Sequence, residues 1–199
     1  MARARAKDHD DKRAAILKAA ATVFARDGYD RASMAGLAVE YGVSKALLYH
    51  YYASKEALLF DVIRAHLEKL VESVEAADRP DLPPEERLGA LVSALLDSYR
   101  DADCEHKVQL TALNLLPPGE QERLKSMERR LVGIFSEAVR ALRPEAFENG
   151  ATLKPVTMSL FGMLNWAYLW LRDTGPVSRE DYARLVTTLI AGGVSRLSR

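Results

Sequence analysis

Apolar residues recur at three- and four-residue spacing along almost the whole chain, and no stretch sustains the period-two alternation of a half-buried strand. The pattern predicts an all-α fold of about nine helices and no sheet. A first helix is expected over Asp10–Asp27. Its stripe is Ile16, Leu17, Ala20, Val23 and Phe24, acidic residues at its start favour the helix dipole, and Gly28 stops it. A long amphipathic helix follows later, Lys55 to about Ala77, with Leu58, Leu59, Val62, Ile63, Leu67, Leu70, Val71 and Val74 on one face. Pro80, Pro83 and Pro84 end it.

The remaining punctuation is equally regular. Helices are expected over Glu85–Arg100, Cys104–Leu116 and Glu120–Leu142, with Pro117-Pro118-Gly119 breaking the chain between the last two. An apolar helix takes residues 153–172. It is apolar nearly all round, so burial on two sides is expected. Ser178, followed by Asp181, caps a last helix to about Leu197.

Between the first helix and the long one lies Ser33 to Glu56, SMAGLAVEYGVSKALLYHYYASKE. Ser33 can cap a short helix bearing Met34, Leu37, Ala38 and Tyr41. Gly42 can end it in a left-handed conformation, and Ser44 caps a second short helix, Lys45 to Tyr51. Two short helices joined by a tight glycine turn form a helix-turn-helix pattern, and the unit is read as recognising DNA. In helix 44–51, Leu48 and Tyr52 fall on the side facing a Leu37 and Phe24 core. Lys45 can reach a guanine edge or a phosphate, and Ala46 and Leu47 can touch a thymine methyl. Tyr49, His50 and Tyr51 carry donors suited to phosphate oxygens. The alternative is an exposed tyrosine cluster used for packing.

Charge sharpens this picture modestly. Of 28 Lys/Arg and 28 Asp/Glu, residues 1–55 hold ten and six, a surplus of four positive charges at the helix-turn-helix end. Arg3, Arg5 and Lys7 precede any apolar periodicity. They form either an arm touching DNA or a solvated, disordered tail. Cys104 is the single cysteine, which excludes an internal disulfide framework and suits a reducing cytoplasm. It is read as an inert thiol, with redox sensing as the alternative. The first fifteen residues are polar and charged, unlike a signal peptide. The longest apolar run, Val156–Leu171, contains Thr157, Ser159 and Asn165 and is shorter than the roughly 20 residues of a bilayer span, so no membrane partner is expected. The four histidines (His9, His50, His66 and His106) lack metal-ligand spacing. No nucleophile–base motif or phosphate loop is visible, so no metal, no cofactor and no enzyme activity is expected.

The residues from 13 to 60 resemble TetR-family transcriptional repressors. The resemblance is carried by Ile16-Leu17, Ala19-Ala20, Phe24, Gly28-Tyr29, Ser33-Met34, Leu37-Ala38, Gly42-Val43-Ser44-Lys45, Leu48-Tyr49, Tyr52, Ser54-Lys55-Glu56 and Leu58. Tyr52 departs from the family's usual Phe and is read as an apolar ring either way. The resemblance implies a DNA-binding domain over residues 1–55 and a helical ligand-binding and dimerisation domain over 56–199. It implies a homodimer joined through the last two helices, with double-stranded operator DNA and a small-molecule effector as partners. Ser33, Lys45, Ala46, Leu47, Tyr49, His50, Tyr51 and Lys55 are the DNA-contact candidates, with Lys55 as a phosphate clamp at a helix N-terminus.

Effector candidates are Tyr99, His106, Asn114, Met127, Phe135, Phe161, Met163, Asn165, Trp166 and Tyr168: a mostly apolar set with a few polar groups, each also readable as core. Trp170, Leu185, Leu189, Gly192 and Gly193 are the candidates for the dimer interface, the glycines allowing close helix approach. The other reading of the glycines is a fraying helix end. The segment from His106 to Phe135 resembles regulators of aromatic, fatty-acid or sterol catabolism, which points to an apolar acyl or aromatic effector, CoA thioesters included. The alternative is a lipophilic drug, with the protein repressing an efflux pump. A DNA-binding protein without any ligand is a further alternative, disfavoured by the aromatic-rich second half.

Overall fold

The computed structural model describes residues 2–197, with side chains from residue 9 onward. Among these residues the chain forms nine α-helices and three short 3-10 turns, with no strand. The helices are α1 Ala2–Asp27, α2 Met34–Tyr41, α3 Lys45–Tyr51, α4 Lys55–Ala77, α5 Pro84–Ser98, α6 Asp103–Ala112, α7 Pro118–Leu142, α8 Leu153–Asn165 and α9 Arg179–Val194.

Two helices differ from the periodicity in ways with a local cause. The first begins at Ala2 rather than Asp10. Residues 2–7 carry no apolar stripe, but Ala, Arg and Lys are strong helix formers with nothing to break the run. Its first turn therefore holds no acidic residue, and the expected dipole contribution is absent. The side chains of Arg3, Arg5 and Lys7 lie outside the described residues, so the proposed arm is not addressed.

The apolar helix expected over 153–172 ends at Asn165 and continues as a 3-10 turn, Ala167–Leu169. Arg172 caps that turn, donating from Nη1 to the Tyr168 carbonyl (2.9 Å) and from Nη2 to the Leu169 carbonyl (3.1 Å). In the single chain, Met158 and Trp166 of this segment are 47% and 57% exposed. The helix expected over Cys104–Leu116 likewise tightens into a 3-10 turn at Leu113–Leu115.

The chain divides into two compact units. The first takes the chain up to Glu68 together with Ala102–Lys125; the second takes Lys69–Asp101 and the chain from Ser126 onward. This division does not coincide with one at residue 55. The first half of α4, all of α6 and the start of α7 cluster with the helix-turn-helix.

In the first unit, Ile16, Ala20, Phe24, Leu37, Ala38, Leu48, Leu58, Val62 and Ile63 form the core. α6 lies against α1, and Lys107 Nζ donates to the Ala25 carbonyl at 2.7 Å. In the second unit α5 packs along α9. Leu88, Leu91, Leu95, Phe135, Val139, Leu160, Leu164 and Val186 are buried there. Each such side chain stabilises the fold by about 1.5–3 kcal/mol relative to exposure.

Candidate functional site

The helix-turn-helix is held by local capping that its sequence dictates. Ser33 Oγ accepts from Gly36 N at 3.0 Å, Ser44 Oγ from Leu47 N at 3.1 Å, and Ser54 Oγ from Ala57 N at 3.1 Å. Each satisfies one amide that a helix start leaves orphaned. Gly42 sits at φ +70°, and Val43 N donates across it to the Ala38 carbonyl at 2.9 Å. A residue with a Cβ is strained in that conformation, so the turn between α2 and α3 depends on glycine.

This frame leaves one face of α3 bare. Leu48 and Tyr52 are buried at 2% and 5% exposure, on the core side. Lys45, Ala46, Leu47, Tyr49 and His50 are exposed, and Tyr51 is half-buried. Tyr51 meets the His9 ring of α1, centroids 4.8 Å apart, and the His50 ring edge-on at 5.6 Å. Lys45 Nζ lies 5.8 Å from the Tyr49 ring centroid. The bare face thus carries a cation, two apolar side chains and a row of ring donors, a set able to meet base edges and phosphates in a major groove.

Lys55 does something other than present a free cation. Its Nζ donates to the carbonyls of Tyr29 (2.8 Å), Ala32 (2.9 Å) and Asp30 (3.4 Å), and it lies 4.2 Å from the Tyr29 ring centroid. An ammonium has three protons, and all three point into the loop between α1 and α2. Lys55 thereby pins that loop to the start of α4, an arrangement that the phosphate-clamp expectation did not include.

Sequence reasoning also missed a polar cluster behind α3. Asp61 Oδ2 accepts from the Tyr52 hydroxyl at 2.9 Å and from Arg13 of α1. Its Oδ1 accepts from Arg64 Nε (2.9 Å) and Nη2 (2.7 Å), while Arg64 Nη1 donates to Glu68 Oε1 at 2.6 Å. Burial acts to raise the Asp61 carboxyl, but hydrogen bonds from Arg64, Arg13 and Tyr52 prevail and hold it below its ordinary value. The Tyr52 hydroxyl is raised, first by burial and then by its bond to Asp61. Reading Tyr52 as a plain apolar ring was therefore incomplete. A buried tyrosine usually needs a hydrogen-bond partner, and that requirement was the available signal.

The effector candidates are divided between the two units. His106 is in the first, fully buried, its Nδ1 3.4 Å from His66 Nε2. Asn114 is also in the first, but exposed, its carbonyl accepting from Gln121 Nε2. The second unit brings Tyr99 and Asn165 together, hydroxyl to Oδ1 at 2.9 Å, with Tyr99 only 3% exposed. It also sets the Phe135 and Phe161 rings edge-to-face at 5.1 Å. Met127, Met163 and Tyr168 are half-buried. Trp166 and Asn114 stand on the surface.

Two clefts open in the second unit. One of about 540 Å³ is polar, beside Asp97, Arg100, Arg179 and Glu180. The other, about 630 Å³, runs between α5 and α9 beside Glu86, Gly89, Ala183 and Thr187. None of the effector candidates lines either one. Among the described residues, no group of three His, Cys, Asp or Glu side chains could hold a metal ion. No described helix is long and apolar enough to cross a membrane.

The dimer candidates fall on one type of surface. Trp170, Leu185 and Leu189 are 51%, 51% and 55% exposed, joined by Trp166 and Leu169 at 57% and 55%. Gly192 and Gly193 are exposed in α9, with open space where a Cβ would stand.

Comparison with known proteins agrees with this architecture. Residues 16–62 match the family described as bacterial regulatory proteins, tetR family. Residues 81–194 match the family described as tetracyclin repressor-like, C-terminal domain. A TetR-family regulator from Bordetella parapertussis 12822 superposes with a TM-score of 0.83 at 34% identity, over 89% of this chain and 93% of that one. The transcriptional activator FasR of Mycolicibacterium smegmatis is 39% identical over 88 residues, which span 44% of this chain and 40% of FasR. AibR, solved with isovaleryl coenzyme A and operator DNA, shares the fold at a TM-score of 0.76 and 24% identity, over 89% of this chain and 96% of its own. Two consecutive family matches, the second alone spanning more than half of the residues, show that the chain belongs to the TetR family of bacterial transcriptional regulators.

Proposed function

We propose that this regulator is a ligand-responsive repressor that grips a palindromic operator as a homodimer and is released by a small, largely apolar effector. The observation that carries the DNA-reading assignment is the bare face of α3: Lys45, Ala46, Leu47, Tyr49 and His50 stand exposed on a helix whose ends are capped and whose opposite side is buried. Two such helices in successive major grooves would lie about 34–36 Å apart, which asks for a short palindrome. The homodimer is supported by the exposed Trp166, Leu169, Trp170, Leu185 and Leu189. So many large apolar side chains left in water mark an association surface, and Gly192 and Gly193 leave room for a helix to approach closely.

The effector class rests on the chemistry of the candidates in the second unit, which line neither open cleft, so a ligand among them would have to part their packing. Phe135 and Phe161 supply apolar surface, and Tyr99 with Asn165 supplies one polar anchor. An acyl or aromatic catabolite, CoA thioesters included, fits that chemistry. α4 runs from the helix-turn-helix unit into the second unit. A ligand-dependent change in that helix would alter the spacing of the two α3 helices. A coupling of about 1–3 kcal/mol releases the operator fivefold or more.

The test is direct. The wild-type protein selects its preferred site from a randomised duplex library, and Tyr49→Ala with His50→Ala is measured on that duplex. Loss of sequence-specific binding with the helical spectrum retained is the expected result; undiminished affinity overturns the assignment. A panel of acyl-CoA esters and free aromatic acids, titrated into the complex, is expected to contain one that releases the duplex at micromolar levels.

A further inference from the structure

We propose that Asp61 is a positioning residue for DNA reading: its single carboxylate sets the place of the C-terminal end of α3 by holding Tyr52, Arg13 and Arg64 at once. The proposal rests on α3 being the reading helix.

α3 has only seven residues. A helix this short is not stable alone, and its direction must come from outside. The Ser44 cap is internal to the helix, so it fixes the first turn without fixing where the helix points. Leu48 packs into the core, but apolar packing is weakly directional. Tyr52 is the C-cap of α3, its backbone N–H donating to the Leu48 carbonyl at 3.0 Å. Its hydroxyl bond to Asp61, at 2.9 Å, ties that end to α4. The same carboxylate accepts from Arg13, which brings α1 to the point.

The carboxylate is saturated. An ionised carboxylate offers about four acceptor positions, and Asp61 receives Tyr52, Arg13 and two Arg64 donors. Its side chain is only 14% exposed, so water is a poor substitute for any of them. A phenylalanine at 52 fills the same space and loses the directional bond. An asparagine at 61 leaves the Arg13 and Arg64 guanidinium groups side by side with no negative charge between them. Neither residue is on the exposed face of α3, so neither contacts DNA. Both act by setting where Lys45, Tyr49 and His50 arrive, and base recognition tolerates a misplacement of only about 0.5 Å.

The experiment measures affinity for the duplex selected by the wild-type protein and for a scrambled duplex of equal length. The proteins are wild type, Tyr52→Phe, Asp61→Asn, the double variant and Tyr49→Ala. Tyr52→Phe is expected to weaken binding to the selected duplex about fivefold, the effect of one hydrogen bond. Asp61→Asn should weaken it by at least about tenfold, and the double variant no further, because the two share one interaction. Binding to the scrambled duplex should stay within about twofold, and the salt dependence should be unchanged, since no phosphate contact is lost.

An unchanged affinity of Tyr52→Phe for the selected duplex overturns the proposal. So does an equal loss on both duplexes, which indicates general unfolding, and so does independent addition of the two effects. If Asp61→Asn does not fold, Tyr52→Phe decides alone, because it keeps the ring and its volume. Tyr49→Ala separates the two levels. If it leaves selective binding intact, the reading-helix assignment has failed. If it abolishes selective binding while Tyr52→Phe leaves it unchanged, only the Asp61 proposal has failed.

Discussion

The two compact units solve different problems with different forces. The helix-turn-helix unit is laced by polar side chains that reach from one element to another: Lys55 into the 29–32 loop, Asp61 to Tyr52 and Arg13, Lys107 to the end of α1, and His66 to His106. The second unit has its share of polar bonds, such as Arg87 to Asp78 and Tyr182 to the Met163 carbonyl. Its distinctive features are a large core around Phe135 and an apolar surface on the turn after α8 and on α9 left uncovered. Hydrogen bonds are directional and modest in net energy, so they suit a unit that must present side chains in a fixed geometry. Apolar burial is stronger and largely non-directional, so it suits a unit that has to hold together and associate. The difference teaches that the two halves should fail differently when broken.

Phe135→Ala should have the largest effect. Phe135 is fully buried and edge-to-face with Phe161, and its truncation is expected to destabilise the protein by about 3–5 kcal/mol, read from urea unfolding. A loss below about 1 kcal/mol would mean the second unit does not depend on that core. Next is Leu189→Arg. A charge placed on the bare α9 face should weaken self-association by about 2 kcal/mol, roughly thirtyfold, with the subunit still folded. Sedimentation at graded concentrations reads this, and an unshifted monomer–dimer balance removes Leu189 from the interface.

Lys55→Met sharpens the contrast from the other side. If Lys55 pins the 29–32 loop, the variant loses about 1–2 kcal/mol of stability before any DNA is added. If Lys55 were a phosphate clamp, stability would hold and the salt slope of DNA binding would fall by about one. The smallest effect is set by pH. Asp61 is lowered in the folded state, so its contribution is present above the ordinary carboxylate value and is lost as pH falls through the lowered one. Tyr99 is raised by burial, so its contribution holds up to the ordinary tyrosine value and is lost as pH rises further. Acid should therefore release the Asp61 cluster, alkali should act on Tyr52 as well as Tyr99, and Asp61→Asn should flatten the acid limb of a stability–pH curve.

Much of this architecture is legible in local sequence, because local signals act locally. Ser33, Ser44, Ser54 and Ser178 each cap the helix that follows them, since a hydroxyl three residues from an orphan amide needs no help from the rest of the fold. Gly42 marks its turn for the same reason. Exposure of the α3 face and burial of Leu48 and Tyr52 follow from helix geometry once the helix is placed. The break after Asn165 was hidden, because a mostly apolar run says nothing about Arg172 turning back onto its carbonyls. The early start of α1 was hidden too, because helix propensity without amphipathic pattern is a weak signal.

What the sequence by itself determined is the succession of helices, their caps, the helix-turn-helix and the family. Each of these depends on neighbours within about one or two helical turns. What only the tertiary structure decided is which long side chains meet. Lys55 is drawn to three carbonyls twenty-odd residues away rather than left open to a phosphate, and Asp61 gathers partners from positions 13, 52 and 64. The same holds for Trp166, which the fold places on the surface. A long polar or amphipathic side chain has many possible partners, and the partner it takes depends on backbone segments that sequence proximity does not bring together.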